Sequence, residues 1–175
     1  MHRPAFRPER AVPLEALHYY LLRRLAVNIK TFARIFGIVF LIVGIGGFIP
    51  GITQPHDHPG LAVEAGSGME LGLFPVNVLH NIVHIAFGIW GLIAARTVGA
   101  ARGYAKAVAI VYALLTVLGL IPATNTTFGL VPIYGHDIWL HALLAAVAGY
   151  FGFARKWTDA DDTGRSDVHT GHATR

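Results

Sequence analysis

Four apolar stretches dominate this sequence, and each is long enough to cross the core of a lipid bilayer. At 1.5 Å per residue a helix needs about 20 residues for the crossing. The stretches run over residues 32–49, 76–95, 104–121 and 135–154. Pro50 and Pro122 follow the first and third. Pro75 and Pro132 precede the second and fourth, where a missing N–H costs a helix nothing. Charged residues make up 14% of the 175 residues, against roughly 25% in a soluble domain. The expected fold class is therefore all-α integral membrane, a bundle of four transmembrane helices.

The basic residues give this bundle an orientation. Seven Lys and Arg side chains lie at or before Arg34, and Arg96, Arg102 and Lys106 lie between the second and third stretches. Arg155, Lys156, Arg165 and Arg175 follow the fourth, which accounts for all 14. The other two loops carry only Asp57, Glu64 and Glu70 as formal charges. Loops rich in Lys and Arg stay in the cytoplasm, so both termini and the middle loop are expected there. This placement also accounts for the pI near 9.7 without a nucleic-acid partner.

Residues 1–30 read as a cytoplasmic segment rather than a cleavable signal, because no small-residue cleavage site follows the first apolar run. Leu14, Leu17, Leu21, Leu22 and Leu25 recur at helical spacing, with Tyr19, Arg23 and Arg24 off that stripe. The pattern predicts an amphipathic N-terminal helix on the membrane surface or a cytoplasmic extension of the first span. Residues 31–155 form the membrane domain. The polar remainder, 156–175, lacks a periodic apolar face and is expected to be disordered, His169 and His172 with it.

The chain repeats itself. FARIFGIVFLIVGIGGFIP, from Phe32, aligns without gaps to YAKAVAIVYALLTVLGLIP, from Tyr104. Arg34 meets Lys106, Phe40 meets Tyr112, and Gly47 meets Gly119. The second helices align as LGLFPVNVLHNIVHIAFG over FGLVPIYGHDIWLHALLA, so that Gly72 meets Gly129, Pro75 meets Pro132, His84 meets His141 and His80 meets Asp137. Two tandem helical hairpins of the same topology are expected, related by an axis along the membrane normal. The second and fourth helices would then face each other across the bundle.

Asn77, His80 and His84 share one helix face, and Tyr134, Asp137 and His141 hold the equivalent positions. Buried ionisable groups at membrane depth face a partner or a polar cavity. Three readings follow. His80, His84, Asp137 and His141 hold a metal, which nitrogen and oxygen donors without thiolate would make zinc, iron, copper or manganese. Alternatively they form a hydrogen-bonded network, completed by Asn77 and Asn81, in a structural or accessory subunit of a larger complex. In that case the first helix, with Gly37, Gly44, Gly46 and Gly47 and no polar residue between Arg34 and Thr53, would meet a membrane-protein partner. In the third, His84 and His141 ligate a b-type haem, with Gly88, Gly91, Ala145 and Ala148 leaving room for the porphyrin.

Cysteine is absent, which excludes disulfides, iron–sulfur clusters and c-type haem attachment. His56-Asp57-His58 sits in an outer loop, where it reads as solvated or as a metal collector at the mouth. His136 falls off the Asp137/His141 face. Trp90, Trp139 and Tyr150 suit interfacial belts. Asn125-Thr126-Thr127 matches a glycosylation pattern that has meaning only in a eukaryotic secretory setting.

At FPVNVLHNIVHIAFGIWGL, YGHDIWLHALLAAVAGYFGF and FARIFGIVFLIVGIGGFIPGIT the chain resembles a family of small bacterial four-helix membrane proteins, domain of unknown function 4383. The resemblance covers most of the region between Lys30 and Ala154. It implies location in the bacterial inner membrane and brings no activity, cofactor or site with it.

Overall fold

The computed structural model describes residues 28–157. The expected amphipathic N-terminal helix and nearly all of the tail, including His169 and His172, lie outside the described residues. Trp157 does not share the disorder expected of the tail. It is buried, its indole N–H donates to the Phe151 carbonyl at 2.7 Å, and Arg155 lies 4.2 Å over its ring.

Among the described residues four helices carry the structure: α1 (Ile29–Gly46), α2 (Val78–Ala94), α3 (Val98–Leu120) and α4 (His136–Gly149). A π-helical turn, Tyr150–Ala154, extends α4. Helices α1 and α3 differ from the hydropathy limits for local reasons. Asn28 caps α1 by accepting from the Thr31 N–H at 2.8 Å, and the helix ends at Gly46 and Gly47 rather than running on to Ile49. Helix α3 begins six residues before the apolar run, because Thr97 accepts from the Ala100 N–H and starts it there. Helices α1, α3 and α4 with its extension are long and apolar enough to cross a membrane; α2, with 17 residues, is apolar but shorter.

The α1–α2 connection holds an antiparallel sheet that the hydropathy pattern did not reveal: β1 (Thr53–Pro55), β2 (Gly68–Glu70) and β3 (Phe74–Val76), in that spatial order. Thr53 pairs with Glu70, and Glu70 with Phe74. Leu71 and Gly72, which turn the chain from β2 to β3, have φ of 54° and 70°; Phe128 and Gly129, their counterparts in the repeat, have 59° and 86°. For a leucine and a phenylalanine this left-handed backbone is unusual. The 47–77 and 121–135 connections pack into one cap. The Ala62 N–H donates to the Gly129 carbonyl at 2.8 Å, and Asn77 Nδ2 donates to the Val63 and Leu130 carbonyls at 2.8 and 2.7 Å.

Helix α1 packs chiefly along α2, and α3 along α4. Glycines permit the first of these contacts. A Cβ on Gly37 would meet the backbone of Gly88 and Leu92, one on Gly44 the backbone of Asn81, and one on Gly47 the Asn81 side chain. Gly46 makes room for Glu70. The glycines expected to meet an outside partner thus lie against α2 and β2 of this chain. The apolar core lies at the end away from the cap, around Ile29, Phe32, Ala33, Ala101, Tyr104 and Ala105.

Candidate metal centre

Asn77 starts α2 by accepting from the His80 N–H at 2.9 Å. It therefore serves as a cap and a tie to both loops, with its polar atoms engaged, and takes no place among the histidines. One turn further on, His80 and His84 lie side by side, with ring centroids 4.4 Å apart and planes tilted by 44°. On α4, Asp137 in the first turn and His141 one turn later project from the same face. The His80 and His141 rings are 6.2 Å apart. All four side chains are buried, none more than 7% exposed.

One ligand atom each from His80, Asp137 and His141 lies within 4.8 Å of the others. His84 stands beside this group rather than within it. His141 Nδ1 lies 2.8 Å from the Asp137 carbonyl oxygen. A carbonyl only accepts, so Nδ1 carries the proton and Nε2 presents its lone pair to the centre. A backbone acceptor of this kind fixes the tautomer of many metal-binding histidines. Nδ1 also approaches Asp137 Oδ2 at 3.3 Å, but its single proton is directed to the backbone. His80 Nδ1, His84 Nδ1, Asp137 Oδ2 and His141 Nε2 are all buried without a hydrogen-bond partner. Buried polar atoms are almost always satisfied, so four such atoms in one place is the chemical signature of this site. Donors at bond lengths of about 2.1 Å around a tetrahedral ion sit about 3.4 Å apart. Closing the group onto an ion thus asks for side-chain shifts of about one ångström.

Aromatic rings back the histidines. His84 stacks on Phe40 at 5.8 Å with 5° between planes, and His141 on Tyr112 at 4.6 Å with 19°. A cavity of about 240 Å³ opens beside them, lined by Val39, Phe40 and Val43 of α1, Leu140 and Leu144 of α4, and Glu70, Leu71, Phe74 and Val76 of the cap. Glu70 is a member of this site that hydropathy and repeat analysis missed. It is 5% exposed, and burial, with the charge of Asp137, pushes its carboxyl up to about 7. No periodic signal marks a single glutamate in a three-residue strand.

Other expectations fare differently. The porphyrin space foreseen at Gly88 and Gly91 is filled: a Cβ there would meet the Leu41 side chain and the Tyr104 hydroxyl. His58 is buried between the Gly68 carbonyl, 2.9 Å from Nε2, and the Tyr134 hydroxyl at Nδ1. Nε2–H therefore donates and Nδ1 accepts from Tyr134. Burial holds this imidazole below its ordinary pKa, and its role is to fasten the two loops. The Asn81 side chain lies against Gly47. Tyr104, on α3, is fully buried with an unpartnered hydroxyl and was not foreseen among the buried polar groups.

An apolar helical bundle with membrane-type helices and a buried His/Asp/His group able to hold a metal ion is the class this fold and site define. Residues 30–154 match the family model described as Domain of unknown function (DUF4383), and the chain belongs to that family. No curated protein and no solved structure matches the chain significantly.

Proposed function

We propose that this chain is a four-span bacterial inner-membrane protein that binds a divalent first-row transition metal through His80, Asp137 and His141, with His84 adjoining. Its termini lie in the cytoplasm and its metal site in the outer half of the bilayer. The observation that carries this reading is the set of four buried, unpartnered donor atoms on facing helices. Left in an apolar interior each would cost about 1–3 kcal/mol, whereas one cation satisfies those of His80, Asp137 and His141 together. A hydrogen-bonded network would need these atoms bonded to one another, whereas His141 Nδ1–H donates to the Asp137 backbone carbonyl and only approaches Oδ2, at 3.3 Å. Three protein donors leave a position for an exchangeable group, the arrangement of catalytic or transfer sites.

The four spans are proposed as two tandem hairpins about a pseudo-twofold axis. Equivalent contacts in the two halves support this: Phe40 on His84 and Tyr112 on His141, and Gly47 against Asn81 and Gly119 against Ile138. Helix α2 then spans with 17 residues, within the range of about 17–25 that crossing helices use. The cap, built from the loops without Lys or Arg, belongs on the outer side. Its packing on both hairpins fits the membrane domain proposed over residues 31–155.

Elemental analysis of the purified protein, grown with supplemented metal, tests the reading against His80→Ala and His141→Ala. About one ion per chain in the wild type and little in either variant is expected. A metal-free wild type, or variants that keep the ion, would overturn it.

A further inference from the structure

The seam between α1 and α4 is the open side of the bundle. Close packing along the helix length joins α1 to α2 and α3 to α4, whereas α1 meets the π-helical extension of α4 through Phe32 and Phe151, whose rings stack at 4.6 Å at the end remote from the cap. Above that stack lies the 240 Å³ cavity. Its α1 and α4 walls, Val39, Val43, Leu140 and Leu144, are partly exposed, while His80, His84 and Asp137 at its other end are buried. In a bilayer the seam faces acyl chains, so the passage to the polar group is lateral.

We propose that this cavity takes a neutral, hydroxyl-headed lipophile from the bilayer, its oxygen at the His80–Asp137–His141 group and its apolar body between α1 and α4. The size suits such a guest, because an apolar cavity of about 150 Å³ already holds a benzene ring. The head is neutral because two carboxyl groups, Glu70 and Asp137, stand at the polar end and no Lys or Arg lines the cavity. With a divalent ion bound, these two carboxylates balance its charge, so an anionic head would add an uncompensated charge in a medium of low dielectric. A hydroxyl both donates and accepts, so it can give its proton to His84 Nδ1 and a lone pair to the open position of the metal. A phospholipid acyl chain fills the same apolar walls but leaves those donors bare. The position of the head rests on the metal reading above; the lateral cavity does not.

The test uses the full chain in phosphatidylcholine nanodiscs and decanol carrying a mid-chain diazirine. After irradiation, mass spectrometry is expected to find the label at Val43 and Leu144 rather than spread over outward-facing Ile42 and Leu143. Excess decanol should compete about tenfold more strongly than decanoate, a difference of about 1.4 kcal/mol. Narrowing the seam with Val43→Phe and Leu144→Phe should cut the labelling by a similar factor while the metal content stays unchanged. Even labelling of lipid-facing positions, no competition by decanol, or equal competition by decanoate would overturn the proposal. Metal measured on the same samples separates the two readings. An ion without seam labelling sinks this inference alone, and labelling without an ion sinks the metal centre while leaving the cavity occupied.

Discussion

The rings of Phe40 and Tyr112 stack on each other with centroids 5.4 Å apart and 24° between planes. These two residues coincide when the halves of the chain are aligned, and each also stacks on the histidine of the following helix in its own half. The series His84, Phe40, Tyr112, His141 thus joins the two halves of the bundle through rings alone. It gives the histidines an apolar backing that leaves their free nitrogens, His84 Nδ1 and His141 Nε2, as the groups with unmet chemistry.

Reporter fusions test the proposed orientation. Cytoplasmic readouts are expected at both termini, and a periplasmic one for an insertion after Gly60, where the cap turns through a left-handed glycine at φ 86°. The motive is electrostatic: Lys and Arg resist translocation, and the cap has none. The opposite readout at either end would invert the scheme.

Gly47 and Asn81 form a pair that mutagenesis can isolate. A methyl group at position 47 collides with the Asn81 amide, so Gly47→Ala should cost about 1–3 kcal/mol through overpacking. The Asn81 amide has no hydrogen-bond partner, so Asn81→Ala should recover most of that loss when combined with it. At the equivalent Gly119 an added Cβ meets the Ile133 carbonyl at 2.9 Å, and trimming Ile138 to Ala should not rescue Gly119→Ala. Thermal unfolding of the four single and two double variants in detergent gives both comparisons, and non-additivity is expected only at the first pair.

The helices and the burial of His80, Asp137 and His141 close together were legible in the sequence for one reason. Hydropathy and a duplicated polar pattern are properties of long regular segments, and these residues sit on them. Asn77 was legible as a buried polar residue but was assigned to the histidine face, although its position immediately before an apolar run is an N-cap signal. The sheet was not legible, because strands of three residues such as Gly68–Glu70 are too short to show a period of two. Glu70 was lost with it: its burial depends on Gly46, on the other side of the connection, and no local pattern records that meeting. The glycines of α1 were read as a packing face correctly, but whether such a face meets α2, α3 or another chain is a tertiary fact.

Glu70 makes stability depend on pH in the metal-free protein. Its folded pKa is raised from 4.5 to about 7, so over this interval the folded chain holds a proton that the unfolded chain releases. Stability should therefore fall as pH rises from about 4.5 through 7. Discounted for screening, the effect should amount to about 1–2 kcal/mol. Glu70→Gln cannot ionise and should flatten the profile. Unfolding temperatures measured at mildly acidic and neutral pH decide it, and an unchanged slope in the variant would remove Glu70 as the cause.

His84 separates an open metal site from a closed one. Its ring adjoins His80 at 4.4 Å, yet its nitrogens do not belong to the group of mutually close donors. If it acts as a neighbour of the ion, His84→Ala should weaken binding by about 10–100-fold, as loss of an outer-shell partner does, and leave the bound metal's coordination number unchanged. His80→Ala and His141→Ala should weaken it far more, each removing a bond to the ion. Cobalt substituted into the site provides the readout. Wild type and His84→Ala should both change their visible spectrum when azide is added, because a position on the metal is free. Affinity in both should fall as the solution is acidified, since binding requires neutral imidazoles and releases their protons. A wild-type spectrum indifferent to azide that becomes responsive only in His84→Ala would instead make His84 the fourth ligand and the site a structural one.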